Sequence, residues 1–228
     1  MHSTPENIQV IYEDNHLIVV NKRCGDIVQG DKTGDLPLSE VVKTYLKNKY
    51  NKLGNVYLGV VHRLDRPTSG IVVFSKTSKA LPRLNKLFAE GKTKKIYWAV
   101  VSGHLPNEKG TLENWLVRNP KQNKSYAHDH HVPNSKKAIL NFQIMKRLKQ
   151  YFLLEIDLKT GRHHQIRAQL SKIGCYIKGD LKYGAPRSDK DGGIHLHARS
   201  LSLEHPVKKE PLNLVAPPPQ GNIWKACL

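Results

Sequence analysis

The sequence predicts an α/β mixture in which strands prevail, built as one domain. Three observations carry this. Runs of β-branched and aromatic residues recur along the chain, the helical stretches are few and two of them stop at glycine, and no internal repeat or interdomain linker breaks the 228 residues. In chain order, Gln9–Tyr12 and Leu17–Asn21 read as strands, and Ser39–Lys49 reads as a helix. Gly70–Ser75 is a strand whose Ile71-Val72-Val73-Phe74 run is that of a buried element. Ser78–Glu90 is a helix closed by Gly91, and Lys95–Ser102 is a strand. Asn119–Ser135 is polar, rich in Lys and His and without apolar periodicity, so it reads as a flexible loop or thumb. Ala138–Lys146 and Tyr151–Leu158 complete the strands, and His164–Ile173 is a second glycine-terminated helix. Gly161 and Arg162 lie just outside its start, which puts Gln165 and Arg167 in its first turns. There the positive end of the helix dipole favours an anion.

The most informative stretch is His62-Arg63-Leu64-Asp65-Arg66-Pro67-Thr68-Ser69-Gly70. A carboxylate stands between two arginines, at a bend whose residues project a side chain from a loop, with the buried strand behind it. At neutral pH an aspartate is ionised, and flanking cations favour that form further. Asp65 is therefore suited to act as a nucleophile or to accept a proton, best in a pocket that excludes water, and poorly suited to be a general acid. Residue types alone favour a plainer reading, in which Asp65 pairs with Arg63 or Arg66 across a surface turn.

Lys and Arg number 37 against 19 Asp and Glu, a formal net charge of +18. Such an excess points to a polyanionic partner and to salt-dependent binding. No basic amphipathic helix and no apolar stretch of spanning length argue for a membrane, so nucleic acid is the expected partner. Cys24, Cys175 and Cys227 are odd in number and far apart, and read as reduced thiols of a cytoplasmic protein. The segment Met1–Asn7 lacks the regions of a signal peptide. His128-Asp129-His130-His131 and His163-His164 contain metal-ligand types without ligand spacing, so no metal is expected. His195 and His197 share one side of a strand and read as packed or hydrogen-bonded core residues. Neither the P-loop nor the dinucleotide pattern occurs, and no cofactor is expected.

The 62–70 segment resembles the signature of the RluA-type RNA pseudouridine synthases, which runs His-Arg-Leu-Asp, two variable residues, then Thr-Ser-Gly or a close variant. Other blocks agree in order. Ile11–Lys22 resembles the family's opening strand and Asn-Lys turn, with Arg23 where Pro is usual. Lys95–Val101 resembles the strand of its active-site tyrosine, Leu158–Arg167 the block of its active-site arginine, and Lys178–Gly184 and Leu196–Pro206 its closing segments. The resemblance runs from Ile8 to the Pro217-Pro218-Pro219 tail. It implies the pseudouridine synthase fold, an α/β (α+β) architecture with a mixed, mainly antiparallel central sheet and flanking helices. The small basic domain that often precedes the catalytic one has no room here, so one catalytic domain is expected to grip RNA unaided.

What the resemblance implies about chemistry is specific. The protein would isomerise uridines of ribosomal or transfer RNA without a cofactor, breaking the N1–C1′ bond and rejoining the base through C5. Asp65, Tyr97 and Arg167 would be catalytic, and His62, Arg63, Arg66, Thr68, Arg162, His164, Gln165 and Ile166 would bind the RNA. Arg167 would pair with Asp65, and Tyr97 would lie on the uracil face, although an isolated tyrosine in an apolar strand is otherwise a core residue. Arg63 would fill the gap left by the extruded base or hold its phosphate. Asp65 would attack C1′, add to C6 or abstract a ribose proton, and the sequence leaves these three open. A glycosidase needs a second acid, which the arginine-rich surroundings of Asp65 disfavour. The competing reading is an RNA-binding, chaperone-like module that retains the synthase fold, and a monomer is the expected form.

Overall fold

The structure is a computed structural model that describes residues 2–31, 33–105 and 107–228. Met1, the first residue of the N-terminal segment read above, lies outside the described residues, as do Lys32 and Pro106. In chain order the elements are β1 (Gln9–Glu13), β2 (Leu17–Lys22), α1 (Leu38–Lys49), β3 (Gly59–Val60), β4 (Ser69–Ser75), α2 (Ala80–Ala89), β5 (Thr93–Ser102), β6 (Lys109–Asn119), β7 (Lys124–His128), β8 (Lys136–Arg147), β9 (Phe152–Leu158), α3 (Gln165–Lys172), β10 (Tyr176–Ile177), β11 (Leu196–Glu204), β12 (Pro211–Val215) and α4 (Asn222–Cys227). This is the expected mixture of mainly antiparallel strands with a few helices. Where the sequence reads as one domain, the chain groups into two compact units, Met1–Thr93 with Ala198–Pro219, and Lys94–His197 with Gln220–Leu228.

The first unit is built on β2 and β4, which pair antiparallel from Leu17↔Ser75 to Lys22↔Gly70. Every residue of both strands is buried, and their near-continuous apolar runs are what a sheet covered on both faces requires. β1 pairs with the outer edge of β2, β3 with β4, and β12 with β11. One face packs Leu17, Val19, Ile71 and Val73 with Ala80 and Leu84 of α2 and Leu201, Leu203 and Leu214 of the β11–β12 hairpin. α1 buries Leu38, Val41, Val42 and Leu46. Gly70 is indispensable to this arrangement. Its φ is +115°, and a Cβ there would stand 2.4 Å from the Ala198 carbonyl oxygen and 2.5 Å from the Ala198 nitrogen.

In the second unit the strands follow the order β5-β9-β8-β6-β7, and β10 pairs with the end of β5 at Val101 and Ser102. The pairs β5–β9, β9–β8, β8–β6 and β6–β7 are antiparallel. Alternation sends Leu140, Phe142, Leu154 and Ile156 to the face that α3 covers with Ile166 and Leu170. Trp224 and Cys227 of α4 cover Val100 and Leu153. Gln169, fully buried on α3, fixes the helix to the sheet through its amide nitrogen, which reaches the Ala138 and Leu112 carbonyls at 3.2 and 3.1 Å and the Asn114 side chain at 2.9 Å.

The 119–135 stretch differs from its expectation as a loop. Its first half is the tip and second arm of a hairpin in which β6 and β7 pair from Trp115↔His128 to Asn119↔Lys124. The inward residues of β7 are small: Ser125 is buried, and Ala127 packs against Leu116 and Ala168. A strand that presents serine and alanine to its helix carries no apolar periodicity, and its outward lysine, tyrosine and histidine look like loop.

Candidate active site

The first unit supplies Asp65. Its turn is closed by the Thr68 amide donating to the Asp65 carbonyl at 3.0 Å, and β4 begins at once behind it. The turn is braced from below. The Lys22 ammonium, at the end of β2, donates to the carbonyls of Arg66 at 3.0 Å and Arg23 at 2.9 Å, and the Gly25 amide donates to the same Arg66 carbonyl at 2.9 Å. Arg66 returns its Nε to the Gly25 carbonyl at 3.1 Å and pairs with Asp35. Lys22 is 1% exposed. Burial pushes its ammonium down to about 8, against the attraction of Asp26, Cys24 and Asp65, with Arg66 adding to the depression. A buried cation thus underlies the Asp65 turn, and an Asn-Lys pair at the end of a strand does not by itself disclose that the ammonium turns inward.

His62 is taken up by scaffold. Its Nε2 accepts from the Val73 amide at 3.1 Å, and its ring stacks on Phe88 with centroids 4.7 Å apart. Thr68 is buried, and its hydroxyl makes no hydrogen bond among the described residues. Arg63 is exposed.

Tyr97 and Arg167 belong to the second unit. Tyr97, half-buried, packs against the cluster that contains Ile166, and stands opposite Ile156 in the β5–β9 register. Arg167 is buried, and its fork is gripped by the buried Asp180, with Nε donating to Oδ2 at 2.6 Å and Nη2 to Oδ1 at 2.8 Å. Two parallel bonds fix the guanidinium plane as well as its position. Asp180 is delivered by Gly179, whose φ is +89° and whose Cβ would meet the Gly193 carbonyl oxygen at 2.5 Å. The Arg167 guanidinium also lies 4.9 Å over the Tyr183 ring, and the Lys124 ammonium lies 5.1 Å from the same ring. The Tyr183 hydroxyl accepts from the Ser125 amide at 2.8 Å and bonds to His164 Nδ1 at 2.9 Å.

The residues ahead of Arg167 are largely structural. His164 has φ +52° at the start of α3, is stacked on His163 at 3.8 Å, and is 8% exposed. Burial, with Arg167, His163, Lys182 and Arg118 nearby, pushes its imidazole down to about 2, so the ring is neutral. The Gln165 side chain accepts from the Thr160 hydroxyl and the Arg162 amide at 2.8 and 3.0 Å and donates to the Ile139 carbonyl at 3.1 Å. Ile166 is core. Of the four residues of this block assigned to RNA, Arg162 is the exposed one, its Nε held by the Lys137 carbonyl at 3.0 Å. Asp180 and Tyr183 lie in a segment that the sequence reading matched to the family without giving either a role. Glycine beside an acid is a faint signal, and a bidentate partner thirteen residues away is invisible without the fold.

These parts, a braced acidic turn on one unit and an oriented buried arginine on the other, sit on a fold shared with solved structures of one class. Human RNA pseudouridylate synthase domain containing 4 matches with a TM-score of 0.79 at 25% identity, over 96% of this chain and 91% of that one. The fold is that of the pseudouridine synthases. Residues 16–172 match the RNA pseudouridylate synthase family. An uncharacterized RNA pseudouridine synthase of Bacillus subtilis is 33% identical over 95% of this chain and 71% of its own length. The ribosomal large subunit pseudouridine synthase D of Zymomonas mobilis is 31% identical over 96% of this chain and 72% of its own length. The chain belongs to the RNA pseudouridylate synthase family, and is an isomerase acting on RNA.

Proposed function

We propose that this protein converts specific uridines of ribosomal or transfer RNA to pseudouridine, with Asp65 as the reacting carboxylate. The observation that carries the assignment is the bracing of its turn by Lys22 and Gly25, which spends a buried cation on holding one loop backbone. Ribosomal RNA is the favoured substrate, because relatives over most of the chain bear the names ribosomal large subunit pseudouridine synthase C and D.

The target uridine leaves its stack, at a cost of a few kcal/mol that is smallest in a loop. Arg63, exposed beside Asp65, fills the vacated place or holds the flanking phosphate. Arg167, oriented by Asp180, is the cation assigned to Asp65, keeping it charged where water is excluded. Tyr97 lies on the uracil, and its hydroxyl takes part in removing the C5 proton. The N1–C1′ bond breaks, the base turns, C5 bonds to C1′, C5 loses its proton and N1 gains one. Attack of Asp65 at C1′, addition to C6 and abstraction of a ribose proton are each compatible with this sequence of bonds. The three cysteines stand outside any disulfide, in keeping with a reducing, cytoplasmic setting, and none of the described helices is long and apolar enough to cross a membrane.

Tritium release from RNA labelled at uridine C5, measured beside RNA affinity, tests the assignment. Asp65→Ala abolishes release and leaves affinity within about threefold, since one carboxylate contributes little to a phosphate-dominated interface. Release by Asp65→Ala at the wild-type rate removes the carboxylate from the chemistry, and RNA binding without release by either protein turns the reading into that of a binding module.

A further inference from the structure

The second unit carries a cationic hollow of about 270 Å³, lined by Arg118, Ser125, Asn134, Lys136, Arg162 and His163 among others and by no carboxylate. Its position follows from register. Arg118 stands opposite Ser125, and Leu116 stands opposite Ala127 and Lys136, so alternation sends Arg118 and Lys136 to the face on which Leu116 meets Ala168 of α3. At that end of the sheet the helix has not yet begun. The Gly161–His163 turn leads into it instead, and Arg162 adds its guanidinium, tethered by Nε alone. Arg118 and Lys136 are exposed and make no ion pair among the described residues, and Arg162 makes none either. A larger hollow of about 410 Å³, on the side where Asn141, Gln143, Glu155 and Asp157 project, mixes Lys94 and Lys109 with those two acids and has no such bias.

We infer that the Arg118–Lys136–Arg162 hollow is a subsite for a backbone phosphate of the bound RNA, apart from the residues assigned to the reacting nucleotide. The inference rests on the RNA-modifying reading above. A concave site rich in side-chain cations and free of acid suits a tetrahedral oxyanion. Such contacts fix the register of the strand without reading its bases. The hairpin that the sequence disguised as a loop is thus a clamp on the strand, and Arg162 is an exposed cation of the turn before α3 that serves it.

The test compares Arg118→Gln/Lys136→Gln with Lys146→Gln/Lys149→Gln, an equal loss of charge at the other end of β8, in RNA affinity as a function of salt. The hollow predicts roughly tenfold weaker binding for the first pair at about 0.15 M salt and a salt slope shallower by about 1 to 1.5, while the second pair keeps wild-type activity and slope. Arg118→Lys/Lys136→Arg, which keeps the charge, retains affinity and guards against a folding defect. Equal slopes for the two Gln pairs overturn the subsite. A titration with inorganic phosphate separates the sources of the oxyanion. If phosphate binding is lost in Arg118→Gln/Lys136→Gln while its RNA affinity stays at the wild-type level, the hollow serves a small free anion and the RNA subsite is overturned. Because affinity and tritium release are read separately, a wild type that binds RNA without turnover sinks the enzymatic assignment and leaves the subsite standing.

Discussion

His164 shows how one residue of a sequence block can look like a ligand and be a keystone. Its neutral ring fills the space between His163 and Tyr183 and anchors the latter's hydroxyl. The folded-state value lies below the ordinary histidine value, so between the two the unfolded chain binds the extra proton, and stability falls as pH drops below about 6.5. From pH 7 to pH 5 this residue alone removes about 2 kcal/mol. Asn tolerates the left-handed backbone and keeps a partner for Tyr183, so His164→Asn loses that much less stability over the same interval in urea titrations. A variant as acid-sensitive as wild type would show that the ring protonates freely in the fold. Asp65, Tyr97 and Arg167 could be singled out as the proposed reacting residues because they occupy places in family-like motifs. Lys22, Asp180 and Tyr183 were not, because their importance lies in what they touch: a loop carbonyl, a guanidinium fork and a strand amide.

At the scale of elements, strands with apolar content were readable and strands with polar inward faces were not. β2, β4, β5, β8 and β9 fall within about two residues of their expected bounds, as do α1, α2 and α3. β6 was missed because its inward positions include Asn114, a polar residue whose burial is satisfied by side chains of other segments, Gln169 and Asp129. β7 was missed because its inward positions are small. Gly70 ties the sequence motif to the fold: it sits at the head of β4, where the neighbouring backbone of Ala198 leaves no room for a side chain. Gly70→Ala therefore combines backbone strain with a collision that no rotamer relieves, and costs about 3 kcal/mol or more in thermal or denaturant unfolding. A loss below about 1 kcal/mol would mean that β4 and Ala198 separate easily, and the rigidity ascribed to the Asp65 turn would go with it.

At the scale of the whole molecule, the excess of 18 positive charges and the cationic hollow answer the same need, a grip on a polyanion strong enough to offset extrusion of a base. The two compact units divide the assigned chemistry, the braced acid on one and the oriented arginine and tyrosine on the other. No single stretch of sequence displays that division. The most direct measurement is tritium release from C5-labelled ribosomal RNA that lacks modification, carried to completion with wild-type enzyme and followed by mapping of the product. The account predicts a plateau at a small whole number of pseudouridines per RNA, each at a defined position, and none with Asp65→Ala. A wild-type protein that releases no tritium from ribosomal or transfer RNA while binding both would contradict it.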